Sequence, residues 1–135
     1  MPPTLFDTTV WIAYLNGVVD LRTNLLHRYI ADDDAIFTCP TIIQEVLQGI
    51  RDDRDYQKAN RSLLSFQCLT LPLLDAAIGA AELYRDLRKK RTTIRKANDC
   101  LIAFHALHFD VELCHNDSDF DLIAGRTNLK ICQVQ

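Results

Sequence analysis

Acidic residues in four separate segments of the chain are placed where carboxylates could share a divalent metal ion. These residues are Asp7, Glu45, Asp99, Asp117 and Asp119. The first and the last two come directly after predicted strands, and the other two lie in predicted helices. Oxygen-only ligands select hard cations, so the set favours Mg²⁺ or Mn²⁺ over Zn²⁺. A cation held this way can activate a water and neutralise charge on a phosphate, which is the chemistry of phosphoester hydrolysis.

Each acid also has an ordinary structural explanation. Asp7 could cap the helix that follows it, and one aspartate in residues 117–121 could cap the next. Glu45 lies at the edge of an apolar helix stripe and could be solvated. Asp99 shares its face with apolar residues three, four and seven positions later, so its charge needs a helix N-terminus or a cation. Each signal is weak alone, but the set favours a metal site, and three acids within 117–121 exceed what capping needs and repel without a cation.

A basic segment immediately precedes Asp99. It contains seven of the 15 basic residues of the chain, namely Arg85, Arg88, Lys89, Lys90, Arg91, Arg95 and Lys96. Cations at a helix C-terminus and a solvated loop could explain part of this run. The net charge of −3 excludes a uniformly basic surface but allows a local phosphate clamp. We predict RNA contacts from all but the first of these residues.

Other reactive residues predict no second site. His105 and His108 are three apart, but no acid or thiol joins them at metal-binding spacing, so we expect ordinary, partly buried histidines. The pair Cys114-His115 has no evident orienting partner as a nucleophile. The five cysteines are scattered singly, which argues against a disulfide framework and a thiolate zinc site. With no basic leader and no apolar run long enough to span a bilayer, the sequence predicts a cytoplasmic protein without a membrane segment.

Predicted strands and helices alternate along the chain and bring these residues into position. Strands are predicted at 4–6, 35–39, 68–71, 111–114 and 129–134. Helices are predicted at 8–16, 20–31, 40–50, 54–66, 75–90, 98–108 and 119–124. Thr38 before Pro40 should cap a helix, and Gly49 and Gly125 should lie near helix ends. This order predicts one α/β domain over 1–135 with a mostly parallel central sheet, whose ligands bind beyond the carboxyl ends of the strands.

Taken together, four segments resemble the PIN-domain family, and within it the VapC toxins of bacterial and archaeal toxin–antitoxin pairs. The segments are 5–12 (LFDTTVWI), 43–49 (IQEVLQG), 93–103 (TIRKANDCLIA) and 115–120 (HNDSDF), in the family's order. The resemblance implies a three-layer α/β/α sandwich and an endoribonuclease dependent on Mg²⁺ or Mn²⁺. It also implies a homodimer that is inhibited by a VapB-like antitoxin.

The resemblance assigns the acids residue by residue. Asp7, Glu45 and Asp99 fall on the family's three principal acidic positions. Members vary between the Asp117 and Asp119 positions for the fourth, and this chain has both; Asp119 is the stronger match, and Asp117 remains a plausible direct ligand.

The resemblance also implies roles. Asp7 and Asp99 bind metal most directly, and Glu45 binds a second metal or positions water. The other two acids complete the set, so the implied catalytic residues are Asp7, Glu45, Asp99 and Asp119. Thr8 matches a hydroxyl that lines the family's site, and Asn98 lines it beside Asp99.

Two other functional classes compete with this interpretation. A haloacid-dehalogenase-like phosphatase would use Asp7 as its nucleophile, but that family needs a second aspartate two residues later, where this chain has Thr9. A non-catalytic RNA-binding module would have no use for buried carboxylates. RNA cleavage and phospho-aspartyl trapping distinguish the three classes.

Overall fold

The computed structural model describes residues 1–134, in which a parallel sheet forms the centre of the molecule. Its strands are β1 (Thr4–Phe6), β2 (Ile36–Thr38), β3 (Gln67–Cys68) and β4 (Glu112–Cys114). Their order across the sheet is β3-β2-β1-β4, and every neighbouring pair is parallel. Short apolar strands separated by helices fold this way because crossovers cover both faces of the sheet.

Seven helices flank the sheet within residues 1–134. They are α1 (Thr8–Leu15), α2 (Leu21–Ala31), α3 (Pro40–Gln48), α4 (Asp53–Leu64), α5 (Leu73–Lys89), α6 (Ala97–Phe109) and α7 (Ser118–Ala124). All seven predicted helices are confirmed, with ends shifted by at most two residues. The predicted α/β/α class with a parallel central sheet is therefore confirmed.

The strand order places the ends of β1 and β4 side by side. Phe6 pairs with Cys114, so the residues that follow both strands leave the same edge of the sheet. The backbone N–H of Asp7 also donates to the Cys114 carbonyl at 3.0 Å. From β1 the chain runs outward through β2 and β3, while β4 lies on the other side. This reversal of strand order is where α/β sheets bind ligands.

Helix α6 packs in the core and against α5. Ile102, Ala103 and Ala106 are at most 1% exposed, which confirms the apolar face predicted to carry Asp99. On α5, a Cβ added to Gly79 would lie 2.2 Å from Cζ of Phe104, so the close approach of the two helices depends on this glycine. The first turn of α6, which presents Asp99, is thereby fixed relative to the sheet.

Two local predictions were wrong. Thr38 does not cap α3: Cys39 occupies the N-cap, no side chain makes the capping hydrogen bond, and Pro40 at the first position removes one donor that a cap would serve. The predicted strand at 129–134 is reduced to one parallel bridge between Leu113 and Ile131. Gly49 and Gly125 do end α3 and α7. No helix within residues 1–134 is long and apolar enough to cross a membrane.

Candidate metal centre

Three of the five predicted acids form one compact group. One carboxylate oxygen from each of Asp99, Asp117 and Asp119 lies within 4.8 Å of the others. Asp99 comes from the first turn of α6, and the other two come from the N-terminus of α7, directly beyond β4. Asp117 caps α7 by accepting the N–H of Asp119 at 2.9 Å. The capping role and a place in the acidic group therefore coexist at this residue.

Within this group, two carboxylate oxygens are buried without any partner among the described residues. They are Oδ2 of Asp99 and Oδ2 of Asp119, on residues that are 6% and 2% exposed. A buried carboxylate oxygen without a donor costs free energy, so such atoms are rare unless a cation or a donor meets them. The two orphaned oxygens, together with the all-oxygen donor set, fit a hard divalent metal ion.

Asp7 lies beside this group and is 2% exposed. It caps α1 through Thr9, whose N–H donates to Oδ1 at 3.0 Å and whose hydroxyl donates to Oδ2 at 2.7 Å. Burial raises the pKa of Asp7 to about 6, against the lowering effect of the Thr9 bonds, and the charges of Glu45 and Asp117 raise it further. Asp7 is therefore part of the same electrostatic unit as the acids of α3 and α7.

Asp99 is the most perturbed acid of the unit. Burial raises its pKa to about 7, and the charges of Asp117, Asp7 and Asp119 add to the rise, while Lys96 opposes it. The pKa of Asp117 is instead lowered, because hydrogen bonds from Asp119 and Lys96 outweigh its burial. The site thus combines Asp117, which is paired with a lysine, with the buried Asp7 and Asp99, which form no ion pair among the described residues.

Glu45 joins the site from α3. Its Oε1 accepts from the hydroxyl of Thr8 at 2.7 Å, and its Oε2 faces the amide nitrogen of Asn98 at 3.5 Å. These contacts bring both predicted site-lining residues next to a predicted acid. Since the carboxylate of Glu45 is half-buried, it is also held in place while remaining open to solvent.

The basic segment divides into two parts in the structure. Arg95 lies against the acids, with Nε 3.5 Å from Asp119 and Nη2 3.9 Å from Asp117, and Nζ of Lys96 donates to Asp117 at 3.3 Å. The remaining residues lie at the end of α5 and just beyond it. There the Arg88 guanidinium stacks on Tyr84, 5.6 Å from the ring centroid, and Nζ of Lys90 donates to the Arg126 carbonyl.

Two residues that support the acids were missed in the sequence. Thr9, besides holding Asp7, accepts the N–H of Asn116 at 3.0 Å and so ties β1 to the loop after β4. His115 accepts the N–H of Asp117 at Nδ1, so its proton lies on Nε2, which faces Asp121 at 3.2 Å. The only signal for either residue was its position within three residues of a strand end.

The other residues considered in the sequence take structural positions. His105 is buried and bonds the Leu101 carbonyl through Nδ1, whereas His108 is exposed, which corrects its predicted partial burial. All five cysteines carry free thiols. The Cys114 thiol contacts that of Cys132, and this contact and burial raise its pKa, so it is a poor nucleophile.

Comparison with known proteins gives matches over nearly the whole chain. Residues 4–126 match the family model of the PIN domain. The chain is 34% identical over 130 residues to "VapC ribonuclease Mb1587" from Mycobacterium bovis, covering 93% of this chain and 95% of the relative.

Solved structures show the same fold. A chain of VapBC2 from Rickettsia felis, bound to a DNA fragment from its promoter, superposes with a TM-score of 0.71 at 21% identity and covers 95% of this chain and 96% of its own. VapC20 from Mycobacterium tuberculosis, described as a sarcin-ricin loop cleaving toxin, gives a TM-score of 0.64 at 18% identity, covering 94% and 98%.

Proposed function

The chain belongs to the PIN-domain family, and we propose that it is the toxin of a toxin–antitoxin pair, a metal-dependent endoribonuclease. The observation that carries this proposal is the pair of buried, partnerless oxygens on Asp99 and Asp119 inside a cluster of carboxylates from separate segments. RNA hydrolysis is a use for these groups, whereas a pure RNA-binding module has none. We propose that residues 1–135 form one domain for this activity.

Mg²⁺ or Mn²⁺ is the metal we propose for the site. Asp99 and Asp119 would hold it through their free oxygens, with Asp7 and Asp117 beside them, since the oxygens of these two already accept hydrogen bonds. When bound, the ion supplies a polarised water and neutralises charge on the phosphate. The half-buried Glu45 is placed to orient that water or to bind a second ion.

The basic residues bind the RNA backbone in this proposal. Arg95 and Lys96 are 71% and 62% exposed and lie at the rim of the acidic cluster, so each can exchange a carboxylate for a phosphate oxygen. Arg88, Lys89, Lys90 and Arg91 extend the positive surface away from the site. A polyanion is thereby drawn to an acidic centre that would otherwise repel it.

The test of this function is RNA cleavage by purified protein. We expect cleavage of an RNA pool with Mg²⁺ or Mn²⁺, none with EDTA, and none by Asp99→Asn or Asp119→Asn. Glu82→Gln, on the exposed surface of α5, is the matched charge control and should cleave normally. Wild-type-like cleavage by the Asp99 variant, or equal cleavage in EDTA, would contradict the proposal.

We propose three further properties from family membership: a homodimeric assembly, a cytoplasmic location and inhibition by a VapB-like antitoxin. The antitoxin would insert an arginine or lysine among the acids and exclude metal, because a guanidinium binds carboxylates with two parallel hydrogen bonds. The position of Arg95 against Asp117 and Asp119 supports this, since one guanidinium already fits there. Apolar contacts must supply the remaining affinity.

The antitoxin mechanism is tested with a cognate antitoxin whose inserted basic residue is changed to Ala. We expect inhibition by the altered antitoxin to weaken as Mg²⁺ rises, while the unaltered one remains inhibitory. If both inhibit equally at every Mg²⁺ concentration, obstruction of the RNA path is the correct explanation.

A further inference from the structure

A cleft between α5 and α6 adjoins the acidic site. It has a volume of about 480 Å³, within the roughly 300–1,000 Å³ usual for small-molecule sites. One wall is the small-residue face of α5, at Ala77, Ala80 and Ala81, and the other is α6 at Leu101. We call this the α5–α6 cleft.

The cleft combines apolar walls with one aromatic ring. Tyr84 of α5 lines it, and the Arg88 guanidinium stacked on that ring helps to hold its orientation. Arg85, one residue further along α5, brings a cation to the lining. Flat apolar surface, an aromatic ring and a nearby cation are the features that bind a nucleobase attached to a phosphate.

The cleft and the acidic site share two residues. Arg95 lines the cleft and also contacts Asp117 and Asp119. Asn98 lines the cleft and also faces Glu45. A ligand in the cleft would therefore be separated from the carboxylates by the width of one side chain.

We propose that the α5–α6 cleft binds one nucleoside of the RNA substrate, next to the phosphate that is cut. The base lies against Tyr84 and the alanine wall, and Arg95 turns from the acids to the adjoining phosphate. This inference rests on the proposed ribonuclease function and names where its base preference resides. Tyr84 and the residues at positions 80 and 81 then act as specificity determinants.

The charge of the lining favours RNA over a second copy of the chain. In a two-fold symmetric contact centred on this cleft, Arg85 and Arg95 of each copy would approach the same residues of the other copy, and like charges would repel. RNA brings a phosphate for each of these cations instead. A copy of the chain as occupant is therefore an outcome that the experiment must be able to detect.

The first part of the test is an abasic scan. The probe is a single-stranded RNA hexanucleotide of mixed sequence in Mg²⁺, with one abasic ribose placed at each position in turn. Binding is measured to the full-length Asp99→Asn protein, so that the probe remains intact. We expect one position at which loss of the base weakens binding about 10-fold, within the range for a base stacked on an aromatic ring. A flat profile, or no binding by any probe, would overturn the proposal.

The second part links that position to the cleft. In the same protein, Ala81→Leu fills the cleft and should weaken binding of the intact probe about 10-fold, but should not weaken binding of the abasic probe further. Tyr84→Ala should behave likewise, Tyr84→Phe should retain binding, and Ala31→Leu at the exposed end of α2 is the control. Additive losses from the abasic probe and Ala81→Leu would overturn the proposal.

Sedimentation of the same proteins detects the other occupant. If Ala81→Leu changes the assembly state, and RNA binding falls only as far as the assembly changes, the cleft is an interface between copies and the proposal is overturned. The proposed function fails separately: position-specific binding to a chain that never cleaves RNA supports the cleft and contradicts the nuclease. RNA cleavage combined with equal binding of every abasic probe supports the nuclease and contradicts the cleft proposal.

Discussion

Asp99→Asn should stabilise the metal-free protein at neutral and alkaline pH. In the folded chain the ionised carboxylate of Asp99 is 6% exposed, has one oxygen without a partner and lies near three other acids. Asparagine has nearly the same shape and no charge. The substitution therefore removes the cost of burying a charge and the repulsion from the other acids, and it leaves the packing of the first turn of α6 unchanged.

The size of the effect follows from the pKa of Asp99. It is about 7 in the folded chain against an ordinary value of 3.8, a difference of about 3 units. This difference corresponds to about 4 kcal/mol of lost stability once the pH is high enough to ionise the carboxyl in the folded chain. Because the folded state binds more protons than the unfolded state between about pH 4 and pH 7, the free energy of unfolding falls as pH rises through this range. The acids titrate together, so we expect about half, ~2 kcal/mol, from this single substitution at pH 8.

The assay is urea unfolding in EDTA at pH 4 and pH 8. Trp11, the single tryptophan, is 1% exposed and reports global unfolding by fluorescence. We expect equal stabilities at pH 4 and a variant more stable by about 2 kcal/mol at pH 8. Glu82→Gln should change stability by less than about 0.5 kcal/mol at either pH. In Mg²⁺ the difference in stability between the variant and the wild type should shrink or change sign, because only the wild-type site is stabilised by binding the ion.

A variant that is less stable than the wild type at pH 8 would contradict this prediction. If Asp99→Asn is less stable than the wild type in EDTA at both pH 4 and pH 8, the carboxylate is a structural element of α6 and its charge is not a source of instability.

Three further predictions concern the supports of the site. Thr9→Val should weaken Mn²⁺ affinity, measured by calorimetry, by about 10- to 100-fold, and Thr9→Ser should restore it; unchanged affinity would remove the role of this hydroxyl. Gly79→Ala should lower stability, because overpacking against the Phe104 ring costs about 1–3 kcal/mol and exceeds the helix-propensity gain of about 1 kcal/mol. Gly125→Ala, the control, should be nearly neutral, and urea unfolding measures both variants. Neutralising Arg88, Lys89, Lys90 and Arg91 should reduce the slope of log RNA affinity against log salt and leave Mn²⁺ affinity unchanged; an unchanged slope would mean that they make no phosphate contacts.

Much of the fold could be predicted because local signals and the global arrangement agree. Seven amphipathic or apolar segments became helices, and strands at regular intervals formed the parallel sheet. The predictions failed where the same short stretch of sequence is compatible with more than one local structure. The segment 129–134 has the apolar character of a strand, yet it pairs with β4 only at Ile131. Thr38 looked like a cap, but Cys39 occupies the N-cap instead.

The acidic residues could be proposed from the sequence, but their positions relative to one another and their hydrogen-bond partners could not. That Asp7 and Asp117 leave the same sheet edge depends on β1 pairing with β4, a contact across more than a hundred residues. The free oxygens on Asp99 and Asp119 depend on burial and on where Thr9 and Lys96 donate, which spacing does not encode. Asp119 has one carboxylate oxygen without a partner among the described residues, whereas both oxygens of Asp117 accept hydrogen bonds. This difference is consistent with the preference for Asp119 as the fourth ligand in the sequence analysis, and both assignments remain predictions.

The most direct test of RNA cleavage at the acidic cluster is to sequence RNA ends after brief expression of the wild-type chain and of Asp99→Asn at matched protein levels. We expect new RNA ends at defined sites with the wild-type chain and none of them with the variant, since the variant loses the carboxylate whose buried oxygen has no other partner among the described residues. Identical ends with both proteins would contradict this expectation, because the cleavage would then not depend on the acidic cluster.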